Sequence, residues 1–207
     1  MRRWYPHDIN FSFLLGVIRF WDPEDHVFRF NLDELCPTTE EFSYLLDQDM
    51  TCPLAAFQDM RSPRVLLAGY LGLPESHCWS MIVGGLLHLE HIVRYFLQPS
   101  SYRHVSPGRI SACVLCALSQ MLLVTGDAIL VDPLVLQVVI EGTSLRLVTP
   151  IILDETLNGL NALSRGETDH FRGSPYLLYI WLSEHFSLIS FDDERLLRFP
   201  GRFFKSF

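Results

Sequence analysis

Between Arg19 and Phe42 the sequence places seven carboxylates and one histidine, His26, among aromatic side chains. Carboxylates and an imidazole at short spacing are the groups that general acid–base catalysis and metal binding use. One hypothesis is therefore an enzyme, or the remnant of one, with nuclease-like or transferase-like chemistry. Its site would use Asp22, His26 and Glu34.

The same carboxylates also have local structural explanations. Thr38 and Glu41 have the spacing of a helix capping box, and Glu40 would join Glu41 in the first helical turn, where the helix dipole favours negative charge. Asp33 belongs to a predicted turn, and Asp22 flanks a proline in a predicted loop. This interpretation predicts that the acidic segment is structural. It assigns no catalytic, cofactor-binding or metal-binding residue, and no cofactor, to the chain.

Two other patterns resemble metal or redox motifs. Cys113 and Cys116 form a lone Cys-x-x-Cys inside an apolar predicted helix, which favours core packing over a zinc or redox site. His88 and His91 would lie on one face of a predicted helix. Two ligands alone do not make a metal site, and neither the HExxH nor the HxxEH spacing is present.

Composition argues against several functions. The 207 residues carry a formal net charge of −8, the opposite of the basic surface that nucleic-acid binders use, so we expect no direct nucleic-acid binding. The only lysine is Lys205, so a pyridoxal-phosphate enzyme, which needs a buried lysine, is not expected. An odd number of irregularly spaced cysteines fits an intracellular protein. The apolar runs are interrupted too often for a membrane span.

The periodicity predicts a mainly α-helical, irregular domain with one small N-terminal β-hairpin. In that hairpin His26–Phe30 would pair with Glu34–Pro37 around a turn at 31–33. Helices are predicted over Phe11–Phe20, from Thr38, from Ser62 to Leu71, from Pro74 into Tyr95 and Gln98 with a possible break at Gly84 and Gly85, and over Arg109–Val124, Pro133–Ile140, Pro150–Leu163 and Tyr176–Phe186. The predicted core comprises Trp21, Phe28, Phe30, Phe42, Leu118, Leu122, Leu157, Leu160, Leu178, Trp181 and Phe186.

Several phrases of the sequence resemble a known family. The opening block, "FWDPEDHVFRFNLDELCPTTEEFSYLL", resembles the start of the plant mobile domain. Four later phrases are similar to a related plant domain of unknown function in that superfamily: "LLAGYLGLP", "DAILVDPLVLQVVIEG", "TPIILDETLNGLNAL" and "HFRGSPYLLYIWLSEHF". Together these phrases extend from about Phe13 to Phe186, and the last one is the most specific.

The resemblance implies a plant protein of transposable-element origin. It implies a helical domain over 1–186, truncated relative to longer family members, followed by a divergent tail at 187–207. It also implies a nuclear location, a role in transposon silencing or development, and a serine/threonine phosphatase as a protein partner. The family label "aminotransferase-like" is not supported as an activity here, because the only lysine is Lys205.

Two hypotheses therefore enter the structural analysis. A non-enzymatic interaction module should have an apolar or aromatic groove without clustered titratable groups. An enzyme using Asp22, His26 and Glu34 should bring several carboxylates together in one cleft.

Overall fold

The computed structural model describes residues 11–30, 33–55, 62–96, 107–124 and 129–186. Within these ranges the chain is predominantly α-helical with small antiparallel sheets, which confirms the predicted fold class in outline. The helices are α1 Phe11–Ile18, α2 Thr39–Leu45, α3 Pro63–Leu71, α4 Glu75–Cys78, α5 Leu89–Phe96, α6 Pro107–Met121, α7 Leu134–Thr143, α8 Thr149–Ser164 and α9 Pro175–Phe186. None of them is both long and apolar enough to cross a membrane.

The predicted hairpin is present, with a third strand that the sequence reasoning missed. Strand β1 (Trp21–Asp22) pairs with β2 (Val27–Phe30), and β2 pairs with β3 (Asp33–Leu35), all antiparallel. His26 precedes β2 with a left-handed backbone, φ 55°, and the strand begins one residue later than predicted. The return strand begins at Asp33, which was predicted to lie in the turn, and ends at Leu35 rather than at Pro37. The link at 31–32 lies outside the described residues.

This N-terminal sheet has one apolar and one polar face. Trp21, Phe28 and Leu35 are directly opposite one another across the three strands, and all three are buried. The neighbouring cross-strand pair, Arg29 opposite Glu34, lies on the other face of the sheet, which is exposed. Because successive strand residues point to opposite faces, the aromatic alternation of the sequence fixes which face packs on the core.

A second sheet corrects the prediction of one hairpin. Strands β4 (Ile82–Val83), β5 (Leu86–His88) and β6 (Leu130–Val131) are antiparallel neighbours in that order. The helical stretch predicted from Pro74 is therefore wrong across these strands, although the possible break predicted at Gly84 and Gly85 coincides with the turn between β4 and β5. Two glycines between β4 and β5 have φ of 60° and 86°, the conformation that a tight hairpin turn requires.

The core lies between the N-terminal sheet and the long helices. Helix α8 packs against α1, α2 and β1, and α9 packs against α2. Of the predicted core residues, six are buried: Trp21, Phe28, Phe42, Leu160, Leu178 and Trp181. The other five pack against that core but are only partly buried: Phe30, Leu118, Leu122, Leu157 and Phe186.

One helix boundary needs correction, and other predictions lie outside the described ranges. Helix α6 ends at Met121 rather than Val124, because Val124 and Gly173 exchange backbone hydrogen bonds of 2.8 and 3.1 Å. Lys205 and the predicted tail at 187–207 lie outside the described residues, as does most of the predicted loop around 99–108.

Candidate functional site

A groove of about 430 Å³ runs beside strand β3. One wall is formed by β3, the edge strand of the N-terminal sheet, together with Cys36 after it. The other wall is the first turn of α2. Side chains of α9 form the floor. The lining residues are Glu34, Leu35, Cys36, Thr38, Glu40, Glu41, Trp181 and His185.

The wall on the α2 side is built by the predicted capping box, which is confirmed. The backbone N–H of Glu41 donates to Oγ1 of Thr38 at 3.3 Å, and the N–H of Thr38 donates to Oε2 of Glu41 at 3.0 Å. The Thr38 hydroxyl also donates to the same carboxylate oxygen at 3.0 Å. The sequence Thr-x-x-Glu therefore fixes the position of a carboxylate at the entrance of the helix.

That carboxylate also contacts the groove floor. Glu41 is 5% exposed, and its Oε2 accepts a 2.9 Å hydrogen bond from Nε1 of Trp181. Its Oε1 lies 3.3 Å from Nε2 of His185. Burial works to raise the pKa of Glu41, but hydrogen bonds from His185, Trp181 and Thr38 outweigh it and lower the pKa below its ordinary value.

The surroundings of His185 favour its protonated form. Its Nδ1 lies 2.8 Å from the backbone oxygen of Trp181, and its Nε2 faces the Glu41 carboxylate. Both neighbours are hydrogen-bond acceptors, an arrangement that favours a proton on each ring nitrogen. Burial works to lower the pKa of His185, but the hydrogen bonds to Glu41 and Trp181 raise it overall.

This groove is not the apolar or aromatic groove without clustered titratable groups that the interaction-module hypothesis predicted, because five of its eight lining residues are titratable: Glu34, Cys36, Glu40, Glu41 and His185. The Glu41 carboxylate already accepts from Thr38, Trp181 and His185, which leaves it poorly suited to act as a base or a metal ligand. Burial, and then the charge of Glu41, raise the pKa of the Cys36 thiol, so the nucleophilic thiolate is disfavoured.

Two of the three residues of the enzymatic hypothesis meet around an arginine. Arg29 donates to the carboxylates of Asp22 and Asp25, and its Nε donates to Oε1 of Glu34 at 3.0 Å. The pKa of Asp22 is lowered, first by the N–H of Glu24 at 2.9 Å and further by Arg29. These carboxylates are on the exposed polar face of the sheet, where they neutralise one guanidinium.

His26 does not join them. Its ring stacks on Trp21 with centroids 6.2 Å apart, and its Nε2 lies 3.1 Å from Nδ2 of Asn161. Trp21 belongs to the opposite, apolar face of the sheet from Glu34. Asp22, His26 and Glu34 therefore do not share one cleft.

The histidine pair and the cysteine pair also differ from a metal site. His88 ends β5 and His91 lies in α5, so the prediction that both lie on one face of a single helix is wrong. Their rings stack in nearly parallel planes with centroids 3.6 Å apart. Lone pairs of parallel rings do not converge on one ion. Burial, and then the charge of Cys113, raise the pKa of Cys116 to about 11. Within the described ranges, no three or more His, Cys, Asp or Glu side chains are arranged so that they could hold a metal ion.

The sequence reasoning missed the floor of this groove. Trp181 appeared only as a core residue, and His185 not at all, because their partner Glu41 is about 140 positions away in the sequence. A weak local signal exists, since the i, i+4 spacing of Trp181 and His185 places both on one face of α9.

Comparison with family models, curated proteins and solved structures finds no match to this chain. The resemblance to the plant mobile domain therefore stays a prediction that rests on the quoted sequence phrases.

Proposed function

We propose that this chain is a non-enzymatic interaction module of transposable-element origin, and that the groove beside β3 receives a segment of a protein partner. The module would act in the nucleus, in transposon silencing or in development. The family resemblance implies a serine/threonine phosphatase as one partner. Direct binding of nucleic acid is not part of the proposal, given the net charge of −8.

The observation that supports this proposal most strongly is the state of the buried carboxylate. Glu41 is the groove's only buried acidic group, and hydrogen bonds from Thr38 and Trp181 and the contact with His185 occupy both of its oxygens. A catalytic base needs a free lone pair directed at the substrate. A binding site instead needs a surface that keeps its shape, and this network holds α2 and α9 together.

The enzymatic alternative has less support. Asp22 and Glu34 are both ion-paired with Arg29, and His26 contacts Trp21 and Asn161 on the other face of the sheet. An acid–base mechanism through these three residues would need a rearrangement of the sheet.

The proposal can be tested by blocking the groove. The full chain carrying Cys36→Trp would place an indole among the lining residues, whereas Cys113→Trp places the same group at an exposed cysteine on α6. Each protein, immobilised after its fold has been checked by circular dichroism, is used to capture partners from a plant nuclear extract.

We expect a defined set of proteins to bind the unchanged chain and Cys113→Trp, and to be lost from Cys36→Trp. Equal capture by all three proteins would contradict a role for the groove. Turnover of a substrate by the unchanged chain that Cys36→Trp abolishes would contradict the non-enzymatic function.

A further inference from the structure

Strand β3 is an edge of the N-terminal sheet, and the register shows which of its backbone groups face outward. The N–H of Arg29 donates to the backbone oxygen of Phe20, on the β1 side, at 2.8 Å. The backbone N–H and C=O groups of a strand alternate in direction from one residue to the next. The backbone groups of Phe28 and Phe30 therefore point toward β3, where their partners are Leu35 and Asp33.

The backbone groups of Glu34, the β3 residue between Asp33 and Leu35, must point away from β2. Glu34 is opposite Arg29, so its N–H and C=O point away from β2 and toward the groove. Cys36 precedes a proline, which favours extended backbone, and the alternation turns its N–H and C=O in the same direction. Both residues line the groove. An added strand forms hydrogen bonds with outward-pointing backbone N–H and C=O groups on every second residue of an edge strand, and Glu34 and Cys36 have this spacing.

No described residue bonds to these outward backbone groups. The hydrogen bonds between described parts of the chain include none to the N–H or C=O of Glu34 or Cys36 beyond the sheet itself. An unpaired strand edge next to an open groove is a template for another extended chain.

The charge around this edge is negative. Asp33, Glu34 and Glu40 are all exposed, and Glu40 makes no ion pair with a described residue. Arg29 is the only cation paired with Asp22, Asp25 and Glu34 in the described structure, so this cluster keeps an excess of negative charge. An occupant with positively charged side chains would complement it.

We infer that the groove binds an extended segment of a partner protein that adds to β3 as a fourth strand, with arginine or lysine at alternate positions. The backbone of the segment bonds to Glu34 and Cys36. Its basic side chains, all on one face because of the strand alternation, reach Glu34 and Glu40. This inference rests on the proposed function, because it names the chemistry of the partner that the groove would receive.

The probe is a blocked octapeptide of alternating arginine and threonine, titrated by calorimetry into the full chain at low and at moderate salt. Two control peptides isolate the two contributions. Alternating glutamate and threonine reverses the charge, and N-methylation of alternate residues of the basic peptide removes backbone donors while its charge is kept.

The protein variants are matched for charge. Glu34→Gln with Glu40→Gln removes two charges at the groove, and Glu167→Gln with Asp169→Asn removes two from the exposed connector before α9. We expect the basic peptide to bind the groove variant about tenfold more weakly than the unchanged chain. Its affinity for the connector variant should stay within about twofold of its affinity for the unchanged chain. The N-methylated peptide should lose about tenfold or more, and the acidic peptide should not bind.

Three results would overturn the inference. The first is no binding of the basic peptide, and the second is equal binding of its N-methylated form, which would mean charge attraction without strand addition. The third is binding only after Arg195, Arg198, Arg202 and Lys205 are neutralised, because the chain's own segment would then be the occupant. If the peptide fails while Cys36→Trp still abolishes capture of nuclear proteins, the interaction function stands and only the partner chemistry is wrong.

Discussion

The indole of Trp181 donates a 2.9 Å hydrogen bond to the carboxylate of Glu41, and both side chains are buried. Glu41 also completes the capping box of α2, in which Thr38 is the N-cap residue. One carboxylate thus completes the start of one helix and contacts the middle of another, which connects two distant parts of the sequence at the groove floor.

Removing that carboxylate should therefore destabilise the fold. Glu41→Gln replaces an acceptor oxygen with an amide that faces donors from Thr38, Trp181 and His185, and we expect the free energy of unfolding to fall by about 2–4 kcal/mol. Glu40→Gln, at the exposed neighbouring position, should change it by less than about 0.5 kcal/mol. Urea unfolding of both variants measures the difference, and similar losses would contradict the anchoring role.

Stability should decrease as the pH rises toward neutrality, because of two groups near the end of α9. Burial raises the pKa of Glu184 to about 7, although the charge of His185 lowers it, and the pKa of His185 is also raised. In both cases the folded state binds the proton more tightly than the unfolded state does. Stability is therefore lost as the pH rises, from about 4.5 to 7 for Glu184 and above about 6.5 for His185.

The lowered pKa of Glu41 acts in the opposite direction and removes stability as the pH falls below about 4.5. Maximum stability is thus expected at mildly acidic pH. Glu184→Gln should reduce the loss between pH 5 and 7 by about 1–2 kcal/mol, as measured by urea unfolding across that range. A variant whose pH profile matches that of the unchanged chain would refute the assignment to Glu184.

Gln48 should be required for the start of α8. Its Oε1 accepts from the backbone N–H groups of Val148 and Thr149, both at 3.2 Å, and from the Thr149 hydroxyl at 2.6 Å; its Nε2 donates to the oxygen of Arg146 at 3.4 Å. Gln48→Leu leaves buried donors unpaired and should cost about 2–3 kcal/mol. Gln48→Glu keeps the acceptor and should cost clearly less in thermal or urea unfolding. Equal losses would mean that these hydrogen bonds do not determine stability.

Gly173 should tolerate substitution less well than Gly166, although both have left-handed backbones with φ of 88° and 70°. A Cβ at Gly173 would lie 2.4 Å from Cα of Thr156, whereas nothing is within 4 Å at Gly166. We expect Gly166→Ala to cost about 1 kcal/mol from backbone strain, and Gly173→Ala several times as much. Comparable melting temperatures for the two variants would show that α8 and the connector do not approach as described.

Local patterns predicted the parts of the fold that depend on neighbouring residues. Thr38 and Glu41 specify a helix start by their spacing, and the alternation around Phe28 specifies a half-buried strand. Ser62 caps α3, and Gly72, with φ 66°, ends it, as their residue types predict.

The predictions that were wrong concern structure that depends on residues far apart in the sequence. Leu87 pairs with both Ile82 and Val131, so the second sheet depends on β6, which is far along the chain, and the periodicity around Gly84 could not reveal it. The acidic segment was explained carboxylate by carboxylate, which missed Arg29 as the common partner of three of them. The groove itself forms only where the edge of β3 meets α2 and α9.

The central claim, that the acidic segment is structural and that the chain has no chemistry of its own there, is tested most directly by metal-binding calorimetry. Magnesium and manganese are titrated into the unchanged chain and into Asp22→Ala with Glu34→Ala, and nuclease turnover is assayed in parallel. We predict no stoichiometric binding and no turnover for either protein, since the Arg29 guanidinium already occupies the space between these carboxylates and would repel a cation there. Stoichiometric metal binding by the unchanged chain that disappears in the double variant, while circular dichroism shows the fold intact, would contradict the claim.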